Sequence, residues 1–142
     1  MGKIKVLLDT DVIISSLLSQ EGASYEIINN SKIEKIITST IKKGAVAVSK
    51  RHQLKLRTLE RIFTNTKTIS LDISRAKLLK NYSIYVFDDE DAHIIAGAKL
   101  SKSKFLLTHN IRHYNLDKIR SELGIITMKP GEFLQYLRSQ KN

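Results

Sequence analysis

The sequence predicts a three-layer α/β/α domain on a parallel sheet of about four or five strands. Three observations carry this expectation. Short apolar runs alternate with longer amphipathic stretches along the chain. The first run, Lys3–Leu8, has β-branched Ile4 and Val6 and stops at an acid, as a buried strand does at the carboxyl edge of a sheet. No repeat, low-complexity stretch or linker divides the chain, and its six glycines are scattered. Strands that alternate with helices pair in parallel through right-handed crossovers.

Taken in order, Lys3–Leu8 is a strand, and Asp11 reads as the N-cap of a helix over Val12–Ser19. Ser24–Asn30 continues as helix, and Glu34–Thr38 is a short strand. Ser39–Ser49 and Gln53–Phe63 read as helices, the second with Leu56, Leu59, Ile62 and Phe63 on one face. Thr68–Leu71 is a strand and Ser74–Tyr82 a helix. Asp89–Leu100 reads as one helix with Ile94, Ile95 and Ala98 turned inward. Lys104–Leu107 is a strand, followed by a helix over Leu116–Leu123 that Gly124 stops. Ile125–Met128 is the last strand, and Pro130, the only proline, opens the helix to Leu137.

Composition narrows the function. The 142 residues hold 24 Lys and Arg against 14 Asp and Glu, a net charge of +10. Such a balance favours a polyanionic partner, nucleic acid or an acidic protein. The absence of cysteine excludes disulfides, thiolate metal sites and thiol catalysis. No apolar run approaches the ~18–20 residues of a membrane span. The opening MGKIKVLLDTD does not read as a signal peptide, because Asp9 and Asp11 interrupt it. The expectation is a cytoplasmic protein without a membrane partner.

Sites in parallel sheets form beyond the carboxyl ends of the strands. Asp9 ends the first strand there, and Thr108, His109 and Asn110 end the fourth. Four acids, Asp88–Asp91, stand together in an otherwise basic chain. One reading is a solvated helix start, since an acid near a helix N-terminus contributes ~0.3–1 kcal/mol. The other joins Asp88 and Asp91, three residues apart, to Asp9. Three carboxylates meeting there repel by ~4 kcal/mol per pair at about 4 Å and an effective dielectric of about 20. A cation relieves that repulsion, and oxygen-only ligands suit Mg²⁺ or Mn²⁺. Such an ion serves phosphodiester hydrolysis. Asp11 is either a helix cap or a partner of Asp9. Thr108 either caps its strand end or bonds a carboxylate, and Asn110 either makes a turn or orients a water. His109 and His113 read as solvated side chains of a polar loop, with acid–base use the alternative.

At these residues the chain resembles the PIN-domain ribonucleases, especially VapC-type toxins of toxin–antitoxin pairs. VLLDTDVIISSLL resembles the family's opening strand and acids. DDEDAHIIAGAKL resembles its D-x-x-D-A element through Asp88, Asp91 and Ala92. FLLTHNIRHY resembles its Thr-x-Asn element through Thr108 and Asn110, and GIITMKPGEFLQYL its last strand and helix. The resemblance implies one PIN-like domain over residues 1–142 with strand order 3-2-1-4-5. It implies an endoribonuclease dependent on Mg²⁺ or Mn²⁺, with Asp9, Asp88, Asp91 and Asn110 catalytic and the three aspartates holding the metal. Asp11 and Thr108 would support them, and an antitoxin and a homodimer are the implied protein partners. The chain departs from the family at the usual mid-chain Glu. Aligned on Gly44, that position holds Thr40, and no acid occurs between Glu34 and Glu60. It departs again at His113, where many relatives carry Asp. Losing the Glu weakens the metal cage, so weak activity is the expectation.

From Lys42 to Lys67 eight basic residues face one acid, a net +7. Lys42, Lys43, Lys50, Arg51, Lys55 and Arg57 read either as a solvated helical face or as a track for the RNA backbone. Two other functions compete. A PIN fold with decayed catalysis would bind RNA or a protein. A haloacid-dehalogenase-like phosphatase would use DTDVI, with Asp9 as nucleophile and Asp11 as acid–base group.

Overall fold

The computed structural model describes residues 2–140. Five strands, β1 (Ile4–Leu8), β2 (Ile33–Thr38), β3 (Lys67–Ile69), β4 (Phe105–Leu107) and β5 (Ile126–Met128), form one sheet in the order β3-β2-β1-β4-β5. Every pairing is parallel. The helices are α1 (Thr10–Leu18), α2 (Ala23–Ile28), α3 (Ser39–Arg51), α4 (Leu56–Thr64), α5 (Arg75–Tyr82), α6 (Ala92–Leu100), α7 (Leu116–Leu123) and α8 (Pro130–Ser139). The expected α/β/α architecture and strand order are both present.

Strand alternation explains the layers. Leu7 and Leu106 pair across β1 and β4, as do Val6 and Phe105 one residue earlier. Successive side chains point to opposite faces. Phe105 packs its ring, tilted, against Phe133 and Tyr136 of α8, at ring-centroid distances of 5.0 and 5.1 Å. Leu7 lies against Gly97 of α6, on the other face. The core between the layers is aliphatic, with Leu7, Leu8, Ile13, Ile36, Ile37 and Ile95 fully buried.

Gly97 sets how closely α6 approaches the sheet. A Cβ there would lie 2.5 Å from Thr38 Cγ2 and 3.2 Å from Leu7 Cδ1. Thr38 has no room to yield, because its hydroxyl caps α3 by accepting from the Ile41 amide at 3.0 Å. Gly97→Ala is therefore expected to destabilise the fold by about 1–3 kcal/mol through overpacking, despite a helix-propensity gain of up to ~1 kcal/mol. A lowered denaturation midpoint checks this, and an unchanged one would show that the layers can part at no cost.

Several boundaries differ from expectation. Asp9, not Asp11, is the N-cap of α1, with Oδ1 accepting from the Thr10 amide at 2.7 Å. Asp11 sits in the first turn, and its carboxylate bonds outside the helix. The acids before α6 are not the first turn of an α-helix: Asp89–Asp91 is a separate 3₁₀ turn capped by Asp88. The helix expected from Gln53 begins only at Leu56, after Gln53 at φ 55°. Gly124, at φ 70°, ends α7 in the left-handed conformation that glycine adopts without strain.

Candidate functional site

The ladder between β1 and β4 runs on past Leu8 and Leu107. The Asp9 amide donates to Leu107 O at 3.0 Å, which sets Asp9 beside Thr108 at the carboxyl edge. Thr108 is fully buried. Its Oγ1 stands 2.9 Å from Asp9 Oδ2 and 3.2 Å from Asp11 Oδ2, so its single proton serves one carboxylate at a time. The same oxygen accepts from the Asn110 amide at 3.1 Å. Tyr114, almost fully buried, donates its hydroxyl to Asp9 Oδ2 at 2.9 Å. Asp9 thus receives three donors and is held as an acceptor.

Asp11 completes the cluster. Asn110 Nδ2 donates to its Oδ2 at 2.8 Å, and the His109 amide lies 3.2 Å from each of its carboxylate oxygens. Burial, and next the negative charge of Asp9, push its pKa up to about 6. Asp91 is half-buried, and its pKa is also raised, by burial first and then by Asp9, while His113 opposes the shift. His113 Nδ1 lies 3.6 Å from Asp91 Oδ2. Asp88 stands apart: it is exposed, and its carboxylate accepts from the Glu90 amide of its own turn at 3.0 Å.

The structure therefore joins Asp9, Asp11, Thr108 and Asn110 through hydrogen bonds and brings Asp91 within electrostatic reach of Asp9. Among the described residues no three His, Cys, Asp or Glu side chains form a group able to hold a metal ion. The chemistry of the donors nevertheless fits a hard divalent cation. The groups around Asp9 are carboxylate and hydroxyl oxygens, and the Asp9 charge adds to the burial that raises the Asp11 and Asp91 carboxyls. Among the described residues no Lys or Arg pairs with any of the three, and His113 stands beside Asp91.

The raised Asp11 carboxyl predicts a pH effect. Its folded pKa of about 6 exceeds the unfolded value of about 3.9. The folded chain holds the proton more tightly, so this stability is complete below about pH 4 and lost as pH rises through about 6. The loss is at most about 3 kcal/mol for the Asp9–Asp11 pair. In EDTA, denaturation of the wild type against Asp11→Asn across this window isolates it. The wild type should lose stability relative to the variant as pH rises, and parallel curves would show that Asp11 carries no such strain.

Three residues at the site escaped the sequence reading. Tyr114 lies 105 positions from the Asp9 it binds. His93, in the first turn of α6, has its pKa lowered by burial while Asp9 and Glu90 pull it up. Ser24 of α2, buried, holds His109 through an Oγ–Nε2 contact of 3.1 Å. No local pattern marked any of them, since each partner comes from a distant element.

The α3 side of the crevice bears on the missing Glu. Gly44 lies against Thr10, 3.7 Å from a built Cβ to Oγ1. Thr40, one turn earlier on the same face of α3, is exposed. Lys42, Lys43, Lys50, Arg51, Lys55 and Arg57 are all exposed, and Lys42 Nζ sits 5.1 Å from the Phe63 ring centre.

The PIN domain family model matches residues 5–112. The chain belongs to the PIN domain family. No curated protein matches it. Solved structures share its fold. One is a toxin–antitoxin complex from Klebsiella pneumoniae, at TM-score 0.63 and 18% identity, covering 88% of this chain and 97% of that one. Another is VapBC2 from Rickettsia felis bound to a DNA fragment from its promoter, at TM-score 0.58 and 15% identity, covering 89% and 98%. PIN membership leaves the phosphatase reading without support, and the three donors on Asp9 do not suit a free nucleophile.

Proposed function

We propose that this PIN domain is a metal-dependent endoribonuclease and the toxin partner of an antitoxin. The observation that carries the reading is the Asp9–Asp11–Asp91 cluster at the carboxyl edge of β1 and β4, where the Asp9 charge and burial push the other two carboxyls up. In this reading Asp9 and Asp91, with Asp88 turned away from the Glu90 amide it caps, would hold Mg²⁺ or Mn²⁺, and the ion would supply charge stabilisation at the scissile phosphate and activation of a water. Thr108 and Tyr114 orient Asp9 through their hydroxyls, at 2.9 Å each from its Oδ2. Asn110 fixes Asp11 beside it. Lys42, Lys43, Lys50, Arg51, Lys55 and Arg57 contact the RNA backbone, which supplies affinity without sequence choice. The neighbours' toxin–antitoxin complexes support an antitoxin partner, and a cytoplasmic homodimer completes the proposal. Among the described residues no helix is long and apolar enough to cross a membrane.

A second reading, an RNA- or protein-binding PIN fold without catalysis, draws on Thr40 at the usual Glu position and on the exposed, self-capping Asp88. Incubating the purified protein with single-stranded RNA and Mn²⁺ or Mg²⁺ decides between them. Cleavage that EDTA stops supports the nuclease. RNA binding without cleavage at millimolar metal supports the binding module.

A further inference from the structure

We propose that the amino edge of the sheet, opposite the acidic site, holds a phosphate monoester or free phosphate between Lys3 and Lys35. Four of the five strands are entered through a lysine. Lys3, Lys32 and Lys104 stand immediately before β1, β2 and β4, and Lys67 opens β3. Parallel pairing brings those ends to one edge. A further lysine, Lys35 of β2, is only 5% exposed. Its ammonium donates to Ile28 O and Asn30 O, at 2.8 Å each, where the chain leaves α2. Those bonds use two of its three protons.

Two hollows of about 460 and 260 Å³ open at this edge, and both are lined by Lys3, Ile33, Lys35 and Asn65. Lys67 lines the larger. So does Glu34, which strand alternation turns to the face of β2 opposite Lys35. Among the described residues no Asp or Glu pairs with Lys3, Lys35 or Lys67. Burial, and next the charge of Lys3, lower the Lys35 pKa. A buried ammonium with a second one near it and no counter-ion is stabilised by an anion that reaches both. Lysine meets phosphate as a compact point charge. The depth of Lys35 selects the ligand. A monoester or free phosphate presents unsubstituted oxygens on one side and reaches a recessed ammonium. A diester is flanked by carbon on both sides and stops at the rim, where Lys3 and Lys67 are exposed. The occupant is therefore a small phosphorylated molecule rather than the middle of an RNA chain.

Calorimetric titration at constant ionic strength tests the proposal, with inorganic phosphate, a nucleoside 5′-monophosphate and dimethyl phosphate as probes. The first two should bind and the diester should not. Phosphate should also shift the amide resonances of Ile33, Lys35 and Asn65. Lys3→Gln should weaken binding about tenfold or more, the loss of one charge-assisted hydrogen bond. Lys129→Gln removes the same charge from an exposed lysine that follows β5 at the other edge, and should bind like the wild type. Lys35→Met keeps the aliphatic stem and should abolish binding, with circular dichroism as the control; should it unfold, Lys3→Gln on the surface still decides the matter. Unchanged affinity in Lys3→Gln overturns the proposal. So do equal losses in Lys3→Gln and Lys129→Gln, which would mark attraction to net charge alone. Equal affinity for dimethyl phosphate overturns it too, since the recess around Lys35 would then select nothing. Tighter binding of the mononucleotide than of phosphate would assign the site to nucleotides, and equal binding would assign it to the phosphate group alone. None of these outcomes depends on the ribonuclease reading.

Discussion

Replacing Asp9 by Asn should lower RNA cleavage by at least about 100-fold while the protein stays folded. Substitutions that only support a metal ligand cost about 10–100-fold, and loss of a ligand itself exceeds that range. The fold survives because Asn caps a helix about as well as Asp, so its side-chain oxygen can still accept from the Thr10 amide. The amide nitrogen then faces the hydroxyls of Thr108 and Tyr114, both of which can turn to accept. Removing the charge also relieves Asp11 and Asp91, whose carboxyls it disfavours. Stability is expected to stay within about 1 kcal/mol of the wild type, by the balance of a weakened hydrogen-bond set against relieved repulsion. Initial cleavage rates at saturating Mn²⁺, with circular dichroism as the control, give the answer. A folded Asp9→Asn protein that cuts as fast as the wild type would remove the acids from the chemistry.

The second large effect is a gain. Thr40→Glu should raise both Mn²⁺ affinity and cleavage by roughly tenfold or more, the scale on which a supporting acid acts at a metal site. Gly44 against Thr10 sets α3 beside the start of α1, and Thr40 lies one turn earlier on the same face. The first turn of α3 holds no acid, so a Glu there also meets the positive end of the helix, worth about 0.3–1 kcal/mol. Calorimetric titration of Mn²⁺ into wild type and variant reads the first effect, and RNA cleavage the second. Unchanged metal affinity would place the missing ligand elsewhere. Raised affinity without cleavage would favour the binding module over a weakened enzyme.

These outcomes bear on how the site could be read from the chain. Asp9 was legible because a strand that stops at an acid delivers that acid to the carboxyl edge. Thr108 and Asn110 were legible for the same reason one strand over, and the Leu8–Leu107 register brings the two ends side by side. The role of Asp11 was only half legible. Cap and cluster partner were both open, and the choice depended on which acid the ladder carried past β1. Asp9 took the cap, which left Asp11 free to meet Asn110. The acids at 88–91 misled in detail, because helix spacing gave Asp88 and Asp91 a shared face. The 3₁₀ turn instead points Asp88 at its own backbone and leaves Asp91 as the one that feels Asp9.

Local chemistry alone determined the alternation of strands and helices, their parallel pairing, the edge where the acids gather, the stop at Gly124 and the helix start at Pro130. Those follow from periodicity, capping and backbone sterics, which act over a few residues. Tertiary structure alone decided that Tyr114 grips Asp9, that Ser24 holds His109, and that Phe87 is left facing water. Each depends on which distant elements the packed layers bring together, and a side chain's neighbours across a hundred residues leave no trace in its local pattern.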